Sequence, residues 1–93
     1  MWMSSSHWAL SDPTRLAIAQ ALLPRDLARG GIGELWQLSA NLVAHHDGTL
    51  TAAGLVVRLH DARRSYLSLR HDDPHVVKLV GVRPAARRLR LHA

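Results

Sequence analysis

No cysteine occurs in the 93 residues, which removes disulfides, thiolate metal ligands and cysteine nucleophiles together. Phenylalanine is absent too, so the core has to be built from Leu, Val, Ile and Ala, with some of the three tryptophans. No apolar run approaches the roughly 20 residues needed to span a bilayer, and no membrane partner is expected. The opening Met1-Trp2-Met3-Ser4-Ser5-Ser6 lacks the charged and apolar regions of a signal peptide, so a cytoplasmic location is expected. Acids are scarce: seven Asp and Glu stand against twelve Lys and Arg, eleven of them Arg, for a net charge of +5. That balance suits a polyanionic partner, but codon bias in a GC-rich genome produces the same excess, so charge alone decides nothing. There is no Ser/His/Asp arrangement, glycine-rich phosphate loop or pair of catalytic carboxylates. Neither an enzyme nor a cofactor is expected.

What is present is an apolar fraction of 47%, which argues for one folded domain. A chain of this length buries only about 60% of its unfolded surface, and such a thin aliphatic core gains from covering a further face with a second copy. Ser11-Asp12-Pro13-Thr14 is a helix start, with Ser11 or Asp12 as cap and Pro13 in the first turn. Leu16, Ile18, Ala19, Leu22 and Leu23 follow at helical spacing, and Pro24 closes the helix. Arg25 to Gly31 reads as a connection broken by Gly30-Gly31. A short helix over residues 32–36, weakened by Gly33, leads through a turn at Gln37-Leu38 to a longer helix. That helix is capped by Ser39, runs to about Ala53 and ends on Gly54, a left-handed cap residue. Short helix, tight turn and longer capped helix make a helix-turn-helix unit.

The period then changes. Residues 55–59 and 65–69 read as two strands around the charged connection His60-Asp61-Ala62-Arg63-Arg64, a hairpin "wing". The expected fold class is α+β, mainly α: a winged helix-turn-helix with a two-stranded wing over residues 1–71. Residues 72–93 form a C-terminal helix or basic tail. Asp72-Asp73-Pro74 caps a helix over residues 75–80, although that β-branched run suits a strand equally, and Arg83, Arg87, Arg88 and Arg90 follow as a frayed helix or basic arm.

These blocks carry a family resemblance. Ala9-Leu10-Ser11-Asp12-Pro13-Thr14-Arg15 resembles the "ALADPTR" opening of ArsR-type regulators, and residues 38–46 resemble the "LSxxxVSHHL" start of their recognition helix. Thr51 to Val56 is similar to "xxAGLV", and Arg63 to Leu69 to the wing's "RxxYxL". The four blocks are ordered and spaced as in that family, and are most similar to actinobacterial members, some fused to an arsenate reductase domain. The resemblance implies a dimeric repressor reading an inverted-repeat operator in double-stranded DNA. Family members that sense arsenite, cadmium or lead do so through cysteines before the recognition helix, and this chain has none there. Others bind zinc on a long C-terminal helix, where this tail offers only His71, Asp72, Asp73, His75 and His92. The family dimerises through its first and last helices, which points to Trp8, Leu10, Val76, Val77, Leu79 and Val80 as the dimer surface.

On the recognition helix Asn41, Ala44, His45 and Gly48 fall on one small, polar face, with Ala40 beside them, suited to the major groove. Ser39 offers a hydroxyl and nearby amides to a phosphate. Arg63 and Arg64 at the wing suit the backbone or minor groove. Arg15 either binds phosphate or braces the fold through an acid such as Asp12. His46 faces inward as a core histidine, and adjacent His45 and His46 point too far apart, about 100°, to share a metal. The cluster around His71 to His75 reads as a helix cap and a solvated histidine, so no metal site is assigned. Asp47 stands where the family has Leu, on one face with Val43 and Leu50. It ionises against a partner, takes up a proton or turns to solvent. Asp47, and Gly48 where the family often has Lys, favour an alternative: an interaction or dimerisation module, the front of a longer fused protein. RNA binding through the Arg-rich tail is a third reading.

Overall fold

The computed structural model describes residues 5–84. Its elements in order are α1 (Ser5–Ala9), α2 (Pro13–Ala21), β1 (Leu27–Ala28), α3 (Arg29–Trp36), α4 (Ala40–Ala52), β2 (Val56–Asp61), β3 (Arg64–Leu69) and α5 (Pro74–Val82). The mainly helical winged helix-turn-helix architecture stands as expected. The sequence-read arginines Arg87, Arg88 and Arg90, and His92, lie outside the described residues.

Three helix starts follow from local side-chain chemistry. Asp12 Oδ2 accepts from the Arg15 amide at 2.9 Å, Ser39 Oγ from the Leu42 amide at 3.2 Å, and Asp73 Oδ1 from the His75 amide at 3.0 Å. Each cap satisfies an amide that the first helical turn leaves without a partner. Pro13 and Pro74 occupy the first turns of α2 and α5, where a missing N–H costs nothing. Residues 74–82 are therefore helical, which settles the helix-or-strand alternative for that run.

Helices α3 and α4 both end through left-handed residues. After α4, Gly54 takes φ 77°, its amide bonds Thr51 O at 3.0 Å, and the Leu55 amide bonds Leu50 O at 3.1 Å. This is the Schellman pattern, which favours glycine. After α3 the same turn is made by Gln37 at φ 57°, with the Leu38 amide reaching back to Gly33 O at 2.8 Å. Gly33 matters for packing rather than as a weak point. A Cβ there would stand 3.1 Å from the Leu38 carbonyl and 3.6 Å from Val43 Cγ2, so the bare backbone lets α3 close against the turn and α4.

The sheet has three strands, not two, in the order β1-β3-β2, all antiparallel. β1 pairs Leu27 with Leu67 and Ala28 with Tyr66. The stretch read as a connection thus contains a strand, and Gly30-Gly31 lies inside the first turn of α3 rather than breaking the chain. The wing connection is shorter than expected: Asp61 pairs with Arg64, leaving Ala62 and Arg63 as a two-residue turn. The core gathers Ile18 of α2 and its C-cap Leu22, Ile32 of α3, Leu50 of α4, Leu67 and Leu69 of β3 and Val80 of α5. α5 packs on α2, so its apolar face belongs to the same core.

Candidate nucleic-acid interface

Helix α4 divides cleanly by burial. Val43, Asp47 and Leu50 are buried, while Asn41, Ala44 and His45 on the other side are exposed and Gly48 is half-buried. Ser39 and Ala40 are exposed at its start. The expected reading face is therefore turned outward as one surface of small and hydrogen-bonding side chains.

At the wing, Arg63 and Arg64 are both exposed. The His60 ring nitrogen Nδ1 and Ser65 Oγ lie 3.3 Å apart across the hairpin just before its tip. An open cleft of about 1150 Å³ separates the wing tip from the starts of α3 and α4, lined among others by Arg63, Arg64, Arg29, Gly30, Glu34 and Ala40. Three arginines face one acid across this space. Arg29 was missed from the sequence because it lay in a stretch read as loop, with no periodic signal.

Arg15 does not join this surface. Its side chain is buried at 7% exposure. Nε donates to the Ala9 carbonyl at 2.8 Å, Nη1 lies 3.3 Å from His46 Nδ1, and the guanidinium sits 5.0 Å from the centre of the Trp8 ring. Arg15 is thus a brace and not a phosphate contact, and the brace runs through Ala9 and His46. The Asp12 carboxylate instead serves the Arg15 amide. Arginine only donates, so His46 Nδ1 is the acceptor and its proton sits on Nε2. Burial holds His46 below the ordinary histidine value, the Arg15 and His45 charges act in the same direction, and Asp12 opposes them.

Asp47 takes the first of its three alternatives. It is buried among partners, with Arg58 Nε 3.2 Å and Arg29 Nε 3.4 Å from Oδ2. Of the residues assigned to a dimer surface, Leu10, Val76 and Val80 are buried within the chain itself, at 2%, 5% and 0% exposure. Their side chains are used up by the core and offer no surface to a second copy. Trp8 is 60% exposed, and Val77 and Leu79 are half-buried at the edge of the core. In the His71–His75 cluster, Asp72 pairs with Arg70 at 3.2 Å, which holds the Asp72 carboxyl below its usual range, and Asp73 caps α5. Among the described residues no three metal-binding side chains converge, and no helix is long and apolar enough to cross a membrane.

No protein-family model matches the chain. Individual proteins do. The uncharacterized HTH-type transcriptional regulator YceK of Bacillus subtilis is 39% identical over 66 residues, 69% of this chain and 66% of that relative, so the chain spans about two thirds of its length. NolR from Sinorhizobium fredii superposes with a TM-score of 0.72 at 30% identity, covering 83% of this chain and 75% of NolR. The homodimeric winged helix-turn-helix DNA-binding domain Mb0332 from Mycobacterium bovis, described as a possible ArsR-family regulator, gives 0.75 at 20% identity, over 84% and 70%. The chain belongs to the ArsR family of winged helix-turn-helix transcriptional regulators. Within the ArsR frame, α3 and α4 form the helix-turn-helix and the β2-β3 hairpin is the wing.

Proposed function

We propose that this ArsR-family chain binds double-stranded DNA as a homodimer and represses transcription by occupying an inverted-repeat operator. The observation that carries this reading is the division of α4. Its buried side is spent on the core and its arginine partners, while Asn41, Ala44 and His45 stand exposed on the outer side. Asn41 suits an adenine edge, His45 a base or phosphate, and Ala44 and Gly48 let the helix sit deep in the major groove. Ser39 and Ala40 at its start, with Arg63 and Arg64 of the wing, supply phosphate or minor-groove contacts.

Homodimerisation draws support from the Mb0332 domain, whose own description is homodimeric. Among the described residues, α1 and α5 offer it Trp8, Val77, Leu79 and Val82, Val82 being 68% exposed. A DNA partner suits a cytoplasmic location, and the proposed repressor role calls for no enzymatic activity. The interaction-module alternative is not favoured, because the relatives are named as transcriptional regulators.

Fluorescence anisotropy with the protein's own upstream duplex, against a scrambled duplex over a salt series, tests the reading. Sequence-selective binding with a steep salt slope, lost in Asn41→Ala plus His45→Ala, is expected. Equal, weak binding to both duplexes overturns it.

A further inference from the structure

Asp47 sits on the recognition helix with only 2% of its side chain exposed, on the side away from the reading face. Two hydrogen-bond donors and one further cation converge on its carboxylate. Thr51, one turn later in α4, gives its hydroxyl to Oδ1 at 3.0 Å. Arg58 of β2 brings Nε to 3.3 Å from Oδ1 and 3.2 Å from Oδ2. Arg29, the first residue of α3, adds an ion pair, its Nε 3.4 Å from Oδ2 but without hydrogen-bond geometry.

These links close a ring. Arg58 pairs across the sheet with Leu67, and Leu67 pairs on its other side with Leu27, so one transverse row crosses all three strands. Arg29 follows Leu27 by two residues and returns to Asp47. Both ends of the sheet row are thereby tied to a single point on α4. Removing the carboxylate alone leaves Arg29 and Arg58 without their partner, but both side chains are partly exposed, at 33% and 46%, and can turn to solvent, which limits the cost to stability. What an aliphatic side chain cannot supply is direction: the hydrogen bond from Arg58 fixes distance and orientation, and the ion pair holds Arg29 nearby.

We propose that Asp47 is a positioning residue that sets the wing relative to the recognition helix, so that the two meet DNA as one rigid unit. The proposal rests on the DNA-binding reading above for its functional half, while its geometric half stands without it. Arg29 and Arg58 keep 33% and 46% of their side chains exposed, so the ring reaches the surface, and Arg29 lines the cleft that Arg63 and Arg64 border.

The absence of cysteine gives a direct test. Spin labels at Ala52→Cys in α4 and Asp61→Cys in the wing, diluted with unlabelled chain, report the helix–wing distance by double electron–electron resonance. The parent protein gives one narrow distribution. Asp47→Leu keeps the helical circular dichroism with a lowered thermal midpoint, while the distribution, read well below that midpoint, becomes about twofold broader as the anchor is released. If Asp47→Leu fails to fold, Asp47→Asn, which keeps the shape, carries the same comparison. An unchanged distribution in the folded variant overturns the proposal.

A second arm reads the consequence on a duplex enriched by the parent protein from a randomised pool. Replacing Arg63 and Arg64 by Ala weakens binding in the parent, and in the Asp47→Leu background that loss shrinks by roughly 3- to 10-fold, a coupling expected of linked elements. An undiminished loss overturns the functional half. If the parent enriches no duplex while the distance arm behaves as expected, the DNA-binding reading has failed and the anchor stands.

Discussion

Arg15 Nη1 lies 3.3 Å from His46 Nδ1, and the same guanidinium is bonded to the Ala9 carbonyl at 2.8 Å. One side chain of α2 thereby joins the end of α1 to the inner side of the recognition helix, with the Trp8 ring as its lid. Arg15→Ala is expected to destabilise the protein by about 2–3 kcal/mol, since a buried carbonyl loses its donor and the stacking is lost with it. Urea unfolding measures this. The salt slope of DNA binding, read on folded protein, stays unchanged because no phosphate contact is removed.

The His46 environment sets a pH dependence. Burial lowers its folded-state value below 6.5, so the unfolded chain binds the proton more readily in the window beneath that value. Stability is therefore full above about pH 6.5 and falls as the pH drops through the window. Thermal midpoints followed across that range show the decline, and His46→Gln flattens it. A midpoint that rises on acidification contradicts the assignment.

The wing and the helix separate by their salt behaviour. Arg63→Ala and Arg64→Ala are each expected to reduce the salt slope by about one and to weaken all sequences alike. Asn41→Ala is expected to lose roughly 10- to 100-fold on the preferred sequence and far less on scrambled DNA. Anisotropy titrations on the two duplexes distinguish the patterns.

The two left-handed helix ends predict opposite signs for two substitutions. Gly54→Ala, at φ 77°, costs about 1 kcal/mol, because a Cβ is strained there. Gln37→Gly, at φ 57°, relieves the same strain and raises stability by up to about 1 kcal/mol. Thermal or denaturant unfolding of both variants reads the pair.

What was legible in the sequence was local. The caps at Asp12, Ser39 and Asp73 act within three residues, and the inward and outward sides of α4 follow from helical spacing. The Gly54 turn announces itself through glycine. Gln37 makes the same turn with nothing in its identity to say so. β1 escaped because two residues carry no periodicity, and its partners Leu67 and Tyr66 are distant in the chain. The fate of Asp47 was undecidable for the same reason: its position marked an anomaly, but Arg29 and Arg58 reach it only once the sheet is in place. Arg15 stood evenly between phosphate and brace until its burial decided it.

The pairing of β1 with β3 joins segments roughly forty residues apart. Between them lie the helix-turn-helix and the first wing strand, where α3 packs on α4, α4 on β2 and β2 on β3, each on its neighbour in the chain. Closing a loop of that length is slow and entropically expensive, so the third strand is expected to lock after the β2-β3 hairpin as the chain folds. It is then also the natural first seam to open. A transient breach there would loosen the start of α3 while leaving the β2-β3 hairpin intact. Amide exchange at Leu27 and Ala28 would register that seam as the softest join in the sheet.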